Sequence, residues 1–328
     1  MSGAAPPPDP PRRLPPAPPS APAPPPGRVR VGTCSWADKT MVAAWYPKGV
    51  TSAEARLRYY AERFDTVEVD SSYYGLPSER NSELWAERTP PGFTFHIKAF
   101  AMLTRHAVRP NQLPPGLRSA YDLEVDKYGR VIHPPDELRE TVFEWFSSAL
   151  TPLREAGKLG LILLQFPPYF VADPRNRDYI VRAARLLAPD PVAVEFRHAS
   201  WVAGEELPRT LALLSDNDLT YVCVDEPRLD SPTVLPPLAA VTAPAAYVRF
   251  HGRNSSTWNA RVETAAERFR YLYTEDELGE WVEPITTMAA EADTTYVMFN
   301  NCYGDYAPRN ANQLSGLLHL DLTTPAAE

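Results

Sequence analysis

From Arg28 onward the chain repeats one alternation: a short β-branched or apolar run, then a stretch with helical spacing. The runs fall at Arg28–Gly32, Thr66–Asp70, Phe93–Lys98, Leu161–Gln165, Val192–Arg197, Thr220–Asp225, Ala246–His251 and Tyr296–Asn300. Eight such strands interleaved with helices predict an α/β fold, a single parallel (β/α)8 TIM barrel spanning 28–322. Thr51, with Glu54 three residues on, reads as a capping box, and Leu57, Tyr60, Ala61 and Phe64 then share one helical face. Further helices are expected at about Ser78–Glu87, Pro135–Glu155, Asn176–Leu187, Glu205–Asp216, Thr274–Glu291 and Pro308–Leu318. Two connections break the rhythm. Ala99–Pro134 is long and carries Arg105, His106 and a Tyr128–Gly129 turn; loops of that length are usually functional or disordered. Glu226–Ala245 is crowded with prolines and shows no helical pattern.

Side chains alternate across a strand with period two, so one set should meet the helices and the other fill the barrel. Val67, Val69, Phe95, Ile97, Val194, Phe196, Val222, Val224, Val248, Phe250, Val297 and Phe299 form the outward set. The inward set is then Glu68 and Asp70, His96 and Lys98, Glu195 and Arg197, Cys223 and Asp225, Arg249, His251 and Arg253, Met298 and Asn300, with Gln165 ending the fourth strand. These polar residues crowd the C-terminal strand ends, where barrels of this kind carry their active sites. Buried charges must be paired, so an internal ion-pair network, such as Glu195 with Arg197 or Arg249, is the alternative to a ligand pocket. Their collection at one end favours the pocket.

Composition narrows the classes. Of 37 prolines, 13 lie in the first 26 residues, so 1–27 reads as a disordered Pro/Ala-rich extension in polyproline-II, or else as a docking segment for a proline-motif reader. The net charge of −8 argues against non-specific binding of nucleic acid or a membrane surface. No apolar run approaches the ~20 residues of a membrane span, and the start lacks the apolar core of a signal peptide. Cys34, Cys223 and Cys302 form no CxxC pair and read as reduced thiols of a cytoplasmic protein.

Ordered motifs run the length of the body: Gly32–Trp36 (Gly-Thr-Cys-Ser-Trp), Trp45–Pro47, Tyr59–Ala61, Val67–Tyr73, Trp85 with Thr89–Pro90, Phe95–Lys98, Gln165–Pro168, Glu195–His198 with Ser200–Trp201, Arg249–Arg253 with Trp258, and Asn300–Asn301 with Asn310–Ala311. On these the chain resembles the domain-of-unknown-function 72 family, also called YecE-like, over about Arg28 to Leu318. The resemblance implies a TIM barrel with a polar pocket and brings no activity with it.

The residue types in the expected pocket suit an enzyme, a hydrolase or lyase, acting on a small anionic, phosphate-bearing substrate. Lys98, Arg197, Arg249 and Arg253 would hold the anion. Glu195 or Glu68 would act as base, with Asp225 a further candidate and His251 an acid or base near neutral pH. Gln165, Asn300 and Asn301 are further binding candidates, and Tyr73, Trp36 and Trp201, with Trp258 and Tyr303, could stack on a sugar or nucleobase. A glycosidase would need two flanking carboxylates; the usual positions on strands four and seven read Gln165 and His251. A metal-dependent phosphodiesterase acting on nucleic acid could use Glu195, Asp225 and His251, with Glu68 and His96 helping, but the neighbouring arginines would repel the ion. Cys34 or Cys223 as nucleophile is the weaker option, since buried cysteines are usually inert. No nucleotide-cofactor loop occurs, so no cofactor is expected, a divalent metal being the minority alternative. Outside enzymes, the same pocket would serve a non-catalytic barrel that senses an anionic metabolite or a nucleic-acid end.

Overall fold

The computed structural model describes residues 27–258, 260 and 265–320. The proline-rich extension expected over 1–27 lies, Gly27 aside, outside the described residues, as do 321 and 322. Eight strands close into a barrel in chain order: β1 (Arg28–Thr33), β2 (Thr66–Val69), β3 (Thr94–Lys98), β4 (Leu159–Gln165), β5 (Val192–Glu195), β6 (Thr220–Asp225), β7 (Ala245–Phe250) and β8 (Thr294–Phe299). Every pairing is parallel, and β1 against β8 closes the ring from Arg28↔Thr294 to Thr33↔Phe299.

Helices cover the outside where the periodicity places them, with local differences that have causes. The helix Ala53–Ala61 is capped by Ser52, whose Oγ accepts from the Ala55 N–H at 3.0 Å, and not by Thr51. Leu57, Tyr60 and Phe64 of its expected apolar face are buried, and the Tyr60 hydroxyl accepts from the Thr33 N–H and donates to the Thr66 carbonyl, tying the helix to β1 and β2. The helix expected over Pro135–Glu155 is two, Asp136–Ala149 and Thr151–Glu155, the second with Pro152 in its first turn, which lacks the N–H that would continue the first. The Thr274–Glu291 pattern likewise splits into Glu275–Gly279, with a Thr274/Glu277 capping box, and Val282–Glu291. Between β6 and β7 there is no helix among the described residues. The long third connection holds 3-10 turns at Ala101–Thr104 and Pro110–Gln112, a short helix Pro115–Ala120 and a Val125–Val131 bridge.

One strand reverses its expected faces. On β6, Asp225 pairs in register with outward Phe250, and Val224 with inward Arg249. Asp225 accepts from Trp281 Nε1 at 2.8 Å and from the Tyr273 hydroxyl at 2.7 Å, both in the outer layer, and Cys223 Sγ lies 3.7 Å from Met288 Sδ of the helix Val282–Glu291. Val222 and Val224 therefore face the barrel, and Asp225 and Cys223 do not. A strand buried on both sides tolerates valine on either face, so alternation alone does not orient it. Arg253 leaves the interior for a related reason. Gly252 has a φ of +91°, and a Cβ there would meet Tyr271 Cβ at 2.8 Å; this left-handed turn sends Arg253 outward to Asp225 and Glu280.

Candidate functional site

At the C-terminal end of the barrel, β2, β5 and β7 aim Glu68, Glu195 and Arg249 at one another, all fully buried. Arg249 spans both carboxylates: Nη1 donates to Glu195 Oε2, and Nη2 to Glu68 Oε1 at 2.6 Å. The Tyr247 hydroxyl donates to the other Glu68 oxygen at 2.9 Å. Glu195 Oε1 also accepts from Gln165 Nε2 at 2.7 Å, His251 Nε2 at 3.0 Å and Arg197 Nη1 at 3.3 Å. Asn300 Nδ2 donates to His251 Nδ1 at 2.9 Å, which leaves the ring's proton on Nε2, pointing at Glu195. Arg197 extends the chain to Glu226 Oε2 at 3.0 Å, and Glu226 takes the Leu235 N–H on its other oxygen. From the segment after β7, Trp258 and Phe269 cover His251 at ring distances of 6.3 and 5.7 Å, and the Arg197 guanidinium lies over Trp258 at 4.8 Å.

The cluster holds three carboxylates, Glu68, Glu195 and Glu226, on two guanidiniums, Arg249 and Arg197. A buried surplus of negative charge is relieved by a proton. Burial alone would raise the Glu195 pKa, but Arg249, His251 and Arg197 outweigh it and hold the carboxyl well below its usual range. Burial raises Glu68 despite Arg249, and raises Glu226 to about 7 despite Arg197. Burial also pushes His251 down to about 4, so it is neutral at pH 7 and does not titrate near neutrality as its residue type suggests.

Beside this cluster a cavity of about 510 Å³ opens between the ends of β1, β2 and β8. Glu68 and Asn300 lie at its floor, Asp38 and Asp70 on its walls, and Trp36, Tyr74, Trp85 and Phe269 supply aromatic faces. The Lys98 amine forms an ion pair with Asp70 at 2.8 Å and lies 4.8 Å above the Tyr73 ring, so the β3 side of the mouth carries the amine. Cys34 also faces the cavity, but burial and then Glu68 raise its pKa well above the usual value, which keeps it a thiol and a poor nucleophile.

The structure thus brings together Glu68, Glu195, Arg197, Arg249, His251, Gln165 and Asn300, places Lys98 and Tyr73 beside them, and sets Trp36 in the cavity wall. Four expected site residues lie elsewhere. Asp225 and Arg253 form a separate cluster in the helical layer. Trp201 is buried between Phe196 and Phe170, at ring distances of 4.4 and 5.7 Å, and its Nε1 donates to the Phe170 carbonyl. Asn301 turns away to donate to the Tyr271 carbonyl and to Asn310 Oδ1, pinning the segment after β7 to the last helix. Glu226 was not among the expected residues; with Val222 and Val224 facing in, it occupies the next inward position. Among the described residues, no group of three or more His, Cys, Asp or Glu side chains is placed to hold a metal ion.

Comparison with known proteins gives a consistent family. The family model described as protein of unknown function DUF72 matches residues 30–328. The UPF0759 protein YunF of Bacillus subtilis (strain 168) is 28% identical over 296 residues, covering 89% of this chain and 95% of that protein. Among solved structures, a DUF72 family protein from Thermotoga maritima MSB8 is 31% identical, with a TM-score of 0.70 over 89% of this chain and 99% of that one. A DUF72 family protein from Enterococcus faecalis V583 is 26% identical, with a TM-score of 0.73 over 92% of this chain and 100% of that one.

Proposed function

We propose a function from one premise: the chain belongs to the DUF72 family, whose description names no activity. The reading is an enzyme that performs general acid–base chemistry on a small polar substrate bearing an anionic group. The cavity between β1, β2 and β8 takes the reacting part of that substrate. Glu68 carries the proton. Tyr247 and Arg249 orient its carboxyl, and Trp36, Trp85 and Tyr74 bound a flat or sugar-like face of the substrate.

The observation that carries this reading is the divergence of two carboxyls that share one guanidinium. Glu195 is held ionised by four donors, whereas Glu68 has two and a raised pKa at the floor of a cavity. Paired carboxyls pushed apart in this way commonly divide the roles of proton carrier and fixed charge. Glu195 is in this reading the fixed charge, which keeps Arg249 and His251 in place. The cations expected to grip an anion are all paired with carboxylates: Arg249 with Glu68 and Glu195, Arg197 with Glu195 and Glu226, Arg253 with Asp225, and Lys98 with Asp70. That leaves the anionic group of the substrate Lys39 in the cavity wall, or a seat outside the cavity.

The test incubates the purified protein with a metabolite extract and follows depletion and formation of compounds by mass spectrometry. Glu68→Gln is expected to abolish every conversion the wild type makes, while the variant still folds. Conversion at the wild-type rate by Glu68→Gln would sink the reading. Retention of a compound by the wild type without conversion would replace the enzyme with a binding barrel.

A further inference from the structure

The third connection, the longest in the barrel, forms one wall of a second cavity of about 400 Å³ on the same rim, between it and the loop after β4. Arg105, His106, His133, Arg139, Tyr169 and Asn176 are its polar lining, and no carboxylate is among the lining residues. We propose that this groove is an oxyanion site that takes a phosphate group, free or as an ester.

Most arginines of this acidic chain meet a carboxylate, as Arg154 meets Asp190 and Arg177 meets Glu206. Among the described residues, neither Arg105 nor Arg139 has a carboxylate within 4 Å, although the two share one small cavity. Burial lowers the Arg139 pKa and Arg105 adds to that as a like charge, which Tyr179 and Asp136 only partly offset. Two guanidiniums that repel each other across a cavity with no acid in its walls are stabilised by an anion between them, and guanidinium forks match phosphate oxygens two at a time.

The frame is also built to hold Arg105 in place. Its guanidinium lies 4.0 Å from the Tyr179 ring centroid, and the Tyr169 hydroxyl donates to its carbonyl at 2.8 Å. Arg105 has a φ of +64° and His133 one of +46°, left-handed conformations that are strained for a non-glycine residue. Both strained residues line the groove.

The groove adjoins the first cavity. The His106 ring packs edge-on against Tyr73 at 5.1 Å, Lys98 lies over the other side of the mouth on that same ring, and Asp70, the partner of Lys98, is in the cavity wall. Gln112 of the third connection donates to the Tyr74 carbonyl at 3.1 Å. A phosphate in the groove would thus lie one aromatic layer from Glu68's cavity and supply the seat that the paired cations cannot. That last step rests on the acid–base reading; phosphate binding itself does not.

The test is calorimetric titration of the full chain with inorganic phosphate and with phenyl phosphate, at constant ionic strength. Arg105→Gln and Arg139→Gln are each expected to weaken phosphate binding about tenfold or more, and the double variant to abolish it. Amide shifts in an NMR titration should map to residues 105–108, 131–139 and 169–176. Tighter binding of phenyl phosphate identifies an ester site, and equal binding a site for the free anion. Arg105 is exposed on the third connection and Arg139 is half-buried in the first turn of the helix Asp136–Ala149, neither in an ion pair among the described residues, so thermal melts of the variants should match the wild type. No measurable binding of either compound by the wild type, or binding unchanged in the double variant, would overturn the proposal. Loss of turnover in Glu68→Gln with phosphate binding intact would leave both readings standing and show that they report different sites.

Discussion

Two carboxylate–guanidinium clusters lie back to back across the β6–β7 wall. The outer one sets three carboxylates, Asp225, Glu277 and Glu280, against two guanidiniums, Arg253 and Arg228, but Glu280 and Arg228 reach solvent and water carries part of their charge. Asp225 accepts from Arg253 through Nε at 2.9 Å and Nη2 at 2.7 Å, and from Trp281 and Tyr273; these donors outweigh burial and lower its pKa. Glu280 closes the far side of Arg253 at 2.7 Å. The inner cluster has the same count, but its three carboxylates are fully buried, so no water offsets the surplus, and it borders a cavity. Ion pairs by themselves do not mark a site. A fully buried surplus at the edge of open space does, because a proton must be shared there.

The largest expected difference between the two is in stability. Arg249→Gln leaves two fully buried carboxylates facing each other and should cost about 3–5 kcal/mol. Arg253→Gln should cost clearly less, because Asp225 keeps Trp281 and Tyr273. Urea unfolding of both variants checks this, and equal losses would erase the distinction between the clusters.

A smaller effect is expected on acidification. His251 is held at about 4, His106 at about 4 and His96 at about 3, chiefly by burial, against 6.5 when unfolded. Between those values the unfolded chain binds more protons, so each histidine stabilises the fold at neutral pH and that stability is lost as pH falls from 6.5 towards 4. Each contributes at most about 1.4 kcal/mol per pH unit. Glu226 runs the other way: its proton is held in the fold up to about 7 and lost at 4.5 when unfolded, so its contribution falls as pH rises across that window. Glu68 has the same sign. Asp65, also raised by burial, shares that sign, whereas Glu195 and Asp225, held low by their donors, act with the histidines. The three histidines act over the whole interval below 6.5, so the melting temperature should drop there. A flat or rising profile from 6.5 to 4.5 would contradict the buried neutral histidines.

Much of this was readable from the chain. The eight strands stand out because short β-branched runs are bounded by turn residues, and the Asn300 and Gln165 positions follow from where those runs end. The proline-rich sixth connection and the long third one are equally visible. What alternation could not settle is which face of β6 looks inward, since Val222 and Val224 suit either side. That one ambiguity moved Asp225 and Cys223 to the wrong face and hid Glu226. Gly252 moved Arg253, because the strand's period stops at a left-handed residue. Pairing was legible only as an alternative: Glu195 with Arg197 and Arg249 was the bland reading of the charges, and those contacts are present, yet the shortage of cations beside a cavity depends on distances that no spacing encodes.

The central claim is that Glu68 and Glu195, joined by one arginine, titrate far apart. Carbon-13 NMR of the carboxyl groups as a function of pH, with Glu68→Gln and Glu195→Gln to assign the two signals, tests it directly. The account predicts that the Glu68 signal titrates above the ordinary glutamate range while Glu195 stays ionised to the acid limit of the fold. Two carboxyls titrating together in the ordinary range, or Glu68 ionised throughout, would contradict it.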